Sequence, residues 1–204
     1  MRKEDVTQVS EIDREAFPTQ WPPPNFRHDL QRRLTYYMVA FDNDKTVNKP
    51  EVKSSGWGRL FGFYPFFNNK SPSTGHYIVG YVGLWVLADE AHITSIAVRE
   101  AYRQRGIGEL LLISGISLAT ELKARIVTLE VRSSNLSAQN LYAKYSFNQV
   151  GVRRGYYPDD REDGILMSTE DITLAPFQAH FQHLRQVHSD KWGITLNQVQ
   201  LGRR

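Results

Sequence analysis

Arg103-Gln104-Arg105-Gly106-Ile107-Gly108 stands between an apolar run, Ile93 to Val98, and a leucine-rich stretch that begins at Glu109. A strand, a glycine turn and a helix start in that order make an anion cradle. Glycines carry no Cβ, so backbone N–H groups can close on a phosphate while the helix dipole and the two arginines add positive potential. What the loop lacks narrows its chemistry. A nucleotide-hydrolysing phosphate loop needs Lys-Ser or Lys-Thr after its last glycine, and neither follows here. A dinucleotide fingerprint needs a third glycine, where this chain has Leu111. What remains is Arg103-x-x-Gly106-x-Gly108, a loop for a phosphorylated cofactor held through backbone.

That loop resembles the pyrophosphate signature of the GCN5-related N-acetyltransferases, which bind acetyl-coenzyme A (acetyl-CoA). Other segments share the resemblance in the same order, and together they cover most of residues 4 to 169. Leu129-Glu130-Val131-Arg132-Ser133-Ser134-Asn135 and Asn140-Leu141-Tyr142, followed by Phe147, are close to the ribosomal-protein alanine N-acetyltransferase branch. So are Glu15-Ala16-Phe17-Pro18-Thr19-Gln20-Trp21 and Arg153-Arg154-Gly155-Tyr156-Tyr157-Pro158.

The resemblance assigns roles that elementary chemistry can weigh. An amine attacks a thioester only when neutral, so the site needs a base, an oxyanion donor and an acid for the leaving thiolate. Glu130 is the expected base, against the alternative of an ordinary strand residue or an ion pair with Arg132. Tyr142 is the expected acid, since a phenol of pKa near 10 can donate at neutral pH; the alternative is a half-buried core tyrosine. Asn135 lies seven residues before Tyr142, two helical turns, and either bonds the pantetheine arm or caps the helix, or does both. Backbone of Ile96, Ala97 and Val98 is expected to pair with the cofactor arm as an added strand would. Arg103, Gln104, Arg105, Gly106, Ile107, Gly108 and Glu109 supply the pyrophosphate loop, where Glu109 would repel phosphate if it pointed inward. Tyr156 and Tyr157 are substrate-contact candidates, or else strand-end packing residues.

Magnitudes bear on the acceptor. An α-amine of pKa around 8 is about a tenth neutral at pH 7, whereas a lysine near 10.4 is neutral in well under a thousandth of molecules. A single glutamate serves the α-amine more easily. The expected activity is therefore acetyl-CoA-dependent N-α-acetylation, on the resemblance at the N-terminal alanine of a ribosomal protein, by direct attack in a ternary complex. Two alternatives stay open: an enzyme of the same family acting on lysine, polyamine or another small amine, and a non-catalytic acyl-CoA-binding module.

Composition sets compatible bounds. The 204 residues are 41% hydrophobic and contain no cysteine, which excludes disulfides, thiolate metal sites and a cysteine-linked acetyl intermediate. The +3 net charge is interspersed, so nucleic-acid binding is not expected; Arg153-Arg154 and Arg203-Arg204 could steer toward RNA but read better as solvated surface. The longest apolar run, Tyr77 to Ala88, is well short of the roughly 20 residues that span a bilayer. Neither a membrane helix nor a secretory signal is expected, and the cytoplasm is the default location.

Positioning these groups requires an α/β layer. Helices are expected over Asp5–Phe17, from Pro24 or Asn25 to Leu34, after the glycine loop with Leu110, Leu111, Ser114, Leu118 and Leu122 on one face, and over Leu136–Lys144. Strands are expected over Tyr36–Phe41, Tyr77–Leu87, Ala91–Val98, Ile126–Val131, Phe147–Val152 and Gly164–Ser168. The resemblance implies a mixed, strongly bent central sheet flanked by helices, with a V-shaped opening between the family's fourth and fifth strands, here Ala91–Val98 and Ile126–Val131.

The chain departs from the family in four places. The family's first strand has no counterpart, so that edge is missing or the true start lies upstream. An aromatic-rich insertion of about 34 residues, 43–76, holds Trp57, Phe61, Phe63, Tyr64, Phe66 and Phe67, either for a partner or for packing on the domain. A C-terminal extension, 170–204, follows the 1–169 domain; Pro176 suits a first helical turn, and Phe177, Phe181, Leu184 and His188 recur as an amphipathic stripe for the domain or a partner. His180, His183 and His188 do not have metal-site spacing. Finally, Ser146 stands where the family has glycine.

Overall fold

The computed structural model describes residues 1–19, 22–48, 74–193 and 199–201. Its elements run α1 (Val6–Ala16), α2 (Phe26–Asp29), β1 (Thr35–Asn48), β2 (Thr74–Leu87), β3 (Glu90–Val98), α3 (Ile107–Glu121), β4 (Ile126–Arg132), α4 (Leu136–Lys144), β5 (Phe147–Arg153), β6 (Gly164–Thr169), α5 (Ala175–Trp192) and β7 (Val199–Leu201). The strands form one sheet in the order β5-β6-β4-β3-β2-β1-β7. Among the described strands only β3 and β4 pair in parallel, as their connection through helix α3 requires.

Helices cover both faces. On one, α3 lies over the sheet centre: Leu111, Leu112 and Ile116 meet Val82, Leu84, Ile93, Val127 and Leu129, and Phe177, Phe181 and Leu184 of α5 join the same cluster. Helix α3 can approach because β2 carries glycine beneath it; a Cβ at Gly80 would stand 2.8 Å from the Ala97 carbonyl oxygen and 3.0 Å from a Leu111 methyl carbon. On the other face Val9 and Ile12 of α1 pack with Phe26, Tyr37, Val39, Ile78 and Tyr81. Each fully buried large side chain such as Leu111 or Ile12 contributes roughly 1.5–3 kcal/mol.

Three sequence expectations change. Helix α2 is a single turn. Asn25 caps it by accepting from the His28 N–H, and the chain then turns through bonds from Gln31 to His28 and Arg32 to Asp29. Phe26 is its one buried residue, too little apolar surface to carry a helix on to Leu34. The strands flanking the insertion are longer than expected, since Thr46, Val47 and Asn48 pair with His76, Gly75 and Thr74. Residues 43–48 and 74–76 of the anticipated insertion are thus sheet, and its aromatics, Trp57 to Phe67, lie outside the described residues. Helix α3 is buried almost all round, on Leu110 to Ile116 and on Leu118 and Ala119. The sheet takes one side and the α5 cluster the other.

The sheet edge beside β1 is filled from the C-terminal tail. Val199, Gln200 and Leu201 pair antiparallel with Ala40, Val39 and Met38. Ser146, where the family has glycine, sits at φ +64°, a left-handed conformation that costs a serine on the order of 1 kcal/mol. Among the described residues no helix is long and apolar enough to cross a membrane, and no three His, Asp or Glu side chains cluster as a metal site.

Candidate active site

The ladder between β3 and β4 runs from the Glu90/Ile126 pair to the Ile93/Leu129 pair and stops. Beyond it the two strands part, which is the V-shaped opening. A register shift against β2 falls at the same level, because Gly83 pairs with Ser95 and Leu84 with Ile93, leaving Thr94 as an extra residue. Such a bulge bends and twists its strand, which helps to swing the end of β3 away from β4. Ile96, Ala97 and Val98 pair with Val82, Tyr81 and Gly80 on one side, and on the other they face the opening.

Glu130 is the first residue of β4 past the last paired position. Its side chain is only 6% exposed, and both carboxylate oxygens are engaged: Oε2 lies 3.0 Å from His92 Nε2 and Oε1 3.0 Å from an Arg153 guanidinium nitrogen. The anticipated partner Arg132 turns elsewhere. It binds Asp159, Asp160 and Glu162 in the β5–β6 connection and lies 4.0 Å from the centre of the Tyr157 ring. Of the doublet read as solvated surface, Arg153 is drawn to Glu130 and Arg154 to Asp163.

His92 is tied on its other side. Nδ1 is 2.8 Å from Thr128 Oγ1, and the threonine hydroxyl is 2.6 Å from a Glu90 carboxylate oxygen. Three short contacts, Glu130–His92, His92–Thr128 and Thr128–Glu90, thus link two carboxylates through one imidazole and one hydroxyl. Neither His92 nor Arg153 was anticipated as a neighbour of Glu130. The signal for His92 was present, as a titratable residue within the apolar run Ala91 to Val98, but its register opposite Thr128 is a property of the sheet.

Tyr142 lies on α4, half-buried, with its ring 5.9 Å from that of Phe147, and burial pushes its phenol up to about 12. Asn135 caps α4 by accepting from the Ala138 N–H at 3.1 Å. Tyr156 and Tyr157 pack edge to face, 5.1 Å apart, at the end of β5. Arg153, bound to Glu130, also lies 5.4 Å from the centre of the Tyr156 ring, which puts this ring beside the opening, and burial, then the Glu130 charge, raises its phenol. Burial, then the neighbouring Tyr156, raises Tyr157 to about 12, and Glu130 and Tyr142 also bear on it. Glu130, Tyr156 and Tyr157 are thus joined through Arg153 and the paired rings. Thr19, after α1, donates to Asp159 and ties the chain's first connection to the β5–β6 loop.

The glycine loop lies at the far end of β3. Gly106 is the N-cap of α3 at φ +76° and Gln104 is also left-handed at +59°, so the loop turns twice before entering the helix. Arg103 reaches back to the Val98 carbonyl oxygen at 3.3 Å, and the Arg105 guanidinium lies 5.2 Å from the centre of the Tyr102 ring. Glu109 turns aside, accepting from Lys144 at 2.6 Å and the Tyr145 hydroxyl at 2.7 Å. Burial raises its carboxyl, but these two bonds outweigh that and hold it below the usual range. The N-terminus of a 15-residue helix, two flanking arginines and a carboxylate facing away fit a pyrophosphate group.

The sequence matches the acetyltransferase (GNAT) family over residues 6–147. A Sulfurisphaera tokodaii N-alpha-acetyltransferase is 35% identical over 170 residues, covering 82% of this chain and 88% of that protein. A Bacillus subtilis (strain 168) protein, provisionally named a ribosomal protein bS18-alanine N-acetyltransferase, is 32% identical over 167 residues, with 82% and 90% coverage. The crystal structure of the Escherichia coli ribosomal-protein-S18-alanine N-acetyltransferase superposes with a TM-score of 0.61 over 84% of this chain and 90% of that one, at 24% identity, a likeness of fold. With the parted strands and the glycine loop, these matches show that the chain belongs to the GNAT family and is an N-acetyltransferase.

Proposed function

We propose that the chain is an acetyl-CoA-dependent N-α-acetyltransferase whose acceptor is the N-terminal amine, most specifically alanine, of a ribosomal protein. The observation that carries this reading is Glu130, buried at the parting of β3 and β4, on the strand next to the one that leads into the glycine loop. The names of the Bacillus subtilis and Sulfurisphaera tokodaii relatives support an N-terminal acceptor, and the former supports a ribosomal one.

Acetyl-CoA, when bound, supplies the thioester. Backbone N–H groups at Gln104 to Glu109 hold its pyrophosphate, with positive potential from Arg103 and Arg105, and the open edge of Ile96, Ala97 and Val98 bonds its amide arm. One N–H of that edge would stabilise the negative charge that develops on the thioester oxygen. The acceptor nitrogen forms the new bond to the acetyl carbon as the carbon–sulfur bond breaks. Glu130 takes the proton the nitrogen loses, directly or through a water, and His92 holds the carboxylate from behind. Tyr142 gives its phenolic proton to the departing sulfur. Tyr156 and Tyr157 flank the acceptor's first residues. Asn135 caps α4 and so fixes the helix that carries Tyr142.

Peptides with a free or a blocked N-terminus, incubated with acetyl-CoA, test the assignment. Only free N-termini should react, alanine ahead of other residues. Acetylation that survives the block would replace this reading with lysine or a small amine as acceptor. Mass spectrometry of cellular protein N-termini with and without the chain then identifies the ribosomal substrate.

A further inference from the structure

Helix α5 lies beyond the segment that matches the family, yet its last turns rest on the glycine loop. His188 is 3% exposed, and its Nε2 is 2.9 Å from the Gly106 carbonyl oxygen. A carbonyl only accepts, so the ring donates from Nε2, and the same oxygen also accepts from the Leu110 N–H. One turn further on, Trp192 lies flat against Gly106. A Cβ there would stand 2.7–2.8 Å from three atoms of the indole. Earlier in α5, Phe181 packs edge on against Tyr145, ring centres 6.3 Å apart, and Tyr145 is one of the two groups that hold Glu109 aside.

We infer that α5 is a positioning element for the pyrophosphate loop, with His188 and Trp192 as its positioning residues; this rests on the proposal that the loop binds acetyl-CoA. The peptide plane carries the effect. In a trans peptide the carbonyl of Gly106 and the N–H of Ile107 point in opposite directions. Fixing the carbonyl toward His188 and Leu110 therefore fixes the Ile107 N–H outward, where an anion docks. The loop needs such support, because Gln104 is a non-glycine residue in the left-handed region and a turn of that kind persists only where its surroundings over-determine it. Trp192 supplies the second constraint. The indole excludes any side chain at position 106, so glycine there is required by this contact as well as by its φ.

The test uses the full chain with His188→Ala, His188→Gln, Trp192→Ala and Trp192→Phe. Calorimetry reads the Kd for CoA, steady-state kinetics read KM for acetyl-CoA and for an acceptor peptide, and hydrogen exchange reads the amides of residues 104–109. Loss of one buried hydrogen bond or of the indole contact is expected to weaken CoA about five- to tenfold. KM for acetyl-CoA should rise by a similar factor, the peptide KM should hold, and exchange in the loop should quicken. His188→Gln keeps a donor at similar reach and Trp192→Phe keeps an aromatic face, so both should recover most of the affinity. Should either alanine variant fail to fold, His188→Leu or Trp192→Leu takes its place, keeping an apolar side chain while removing the donor or the aromatic face: CoA binding at least about fivefold weaker with faster loop exchange supports the inference, and wild-type affinity and exchange overturn it. Folded alanine variants that match wild type in CoA affinity and loop exchange overturn this inference alone. A wild-type chain that binds no CoA overturns the cofactor reading, and this inference with it.

Discussion

His92 Nε2 stands 3.0 Å from Glu130 Oε2, across two strands whose ladder has ended one residue earlier. The contact joins the candidate base to a chain of hydrogen bonds that continues through Thr128 to Glu90. A carboxylate held this way, with Arg153 on its other oxygen, keeps one orientation.

Glu130→Gln should lower kcat/KM for an alanine-ended peptide by about 10²- to 10⁴-fold, the usual contribution of a positioned base. His92→Ala should lower it less, by about tenfold, because the carboxylate remains and only its support is lost. Both should bind CoA as wild type does. Steady-state kinetics beside CoA calorimetry decide it; an unchanged kcat/KM in Glu130→Gln would remove the glutamate from the reaction.

Tyr142→Phe should lower kcat by about 10²-fold with little change in CoA affinity. Burial raises this phenol from 10.0 to about 12, so it remains a proton donor throughout the neutral and mildly alkaline range. The sign is that of a raised pKa in the folded state: the stability linked to the neutral phenol is fully present below pH 10 and is lost as pH climbs through about 12. Tyrosinate absorbance in wild type and Tyr142→Phe should differ only near the top of that window. A difference below pH 10 would contradict the burial of the phenol.

Acid should loosen the β5–β6 connection. Asp159 is held at about 2, first by its bond from Thr19 and then by Arg132, and Glu162 at about 2, first by the Ser134 backbone N–H, with Arg132 contributing. Depressed carboxyls contribute stability above their unfolded values, 3.8 and 4.5, and lose it as pH falls toward 2. Arg132→Gln should therefore flatten part of the acid-unfolding profile between about pH 4.5 and 2. Coincident profiles for variant and wild type would show that the cluster adds nothing measurable.

Asn135→Ala removes the cap of α4 and should cost about 1 kcal/mol in denaturant unfolding. Stability alone should change if the side chain only caps. A rise in KM for acetyl-CoA beyond that loss would assign it the pantetheine arm as well.

Much of this site is legible along the chain. The glycine loop is defined by local spacing, because a phosphate cradle needs a turn and a helix start, whereas Glu130 and Tyr142 are singled out by the motifs that resemble the family. Helices α1 and α5 announce themselves by apolar periodicity, α5 also by Pro176 in its first turn, and α4 by its cap Asn135. Helix α2 does not, since one buried phenylalanine leaves its length to the surrounding packing.

The amino-acid sequence by itself therefore determined the order of elements and the glycine turn ahead of α3, and it carries the residue types proposed for acetyl transfer. Only the tertiary structure decided which groups meet. Glu130 chose His92 and Arg153 over the nearby Arg132 because β3 and β4 lie side by side in parallel and Arg132 is claimed by three carboxylates. His188 and Trp192 reached Gly106, 82 residues away in the case of His188, because the stripe Phe177, Phe181 and Leu184 buried α5 in the α3 cluster. Periodicity tells a helix which face to bury; the partner for that face is set by the shape of the whole packed core.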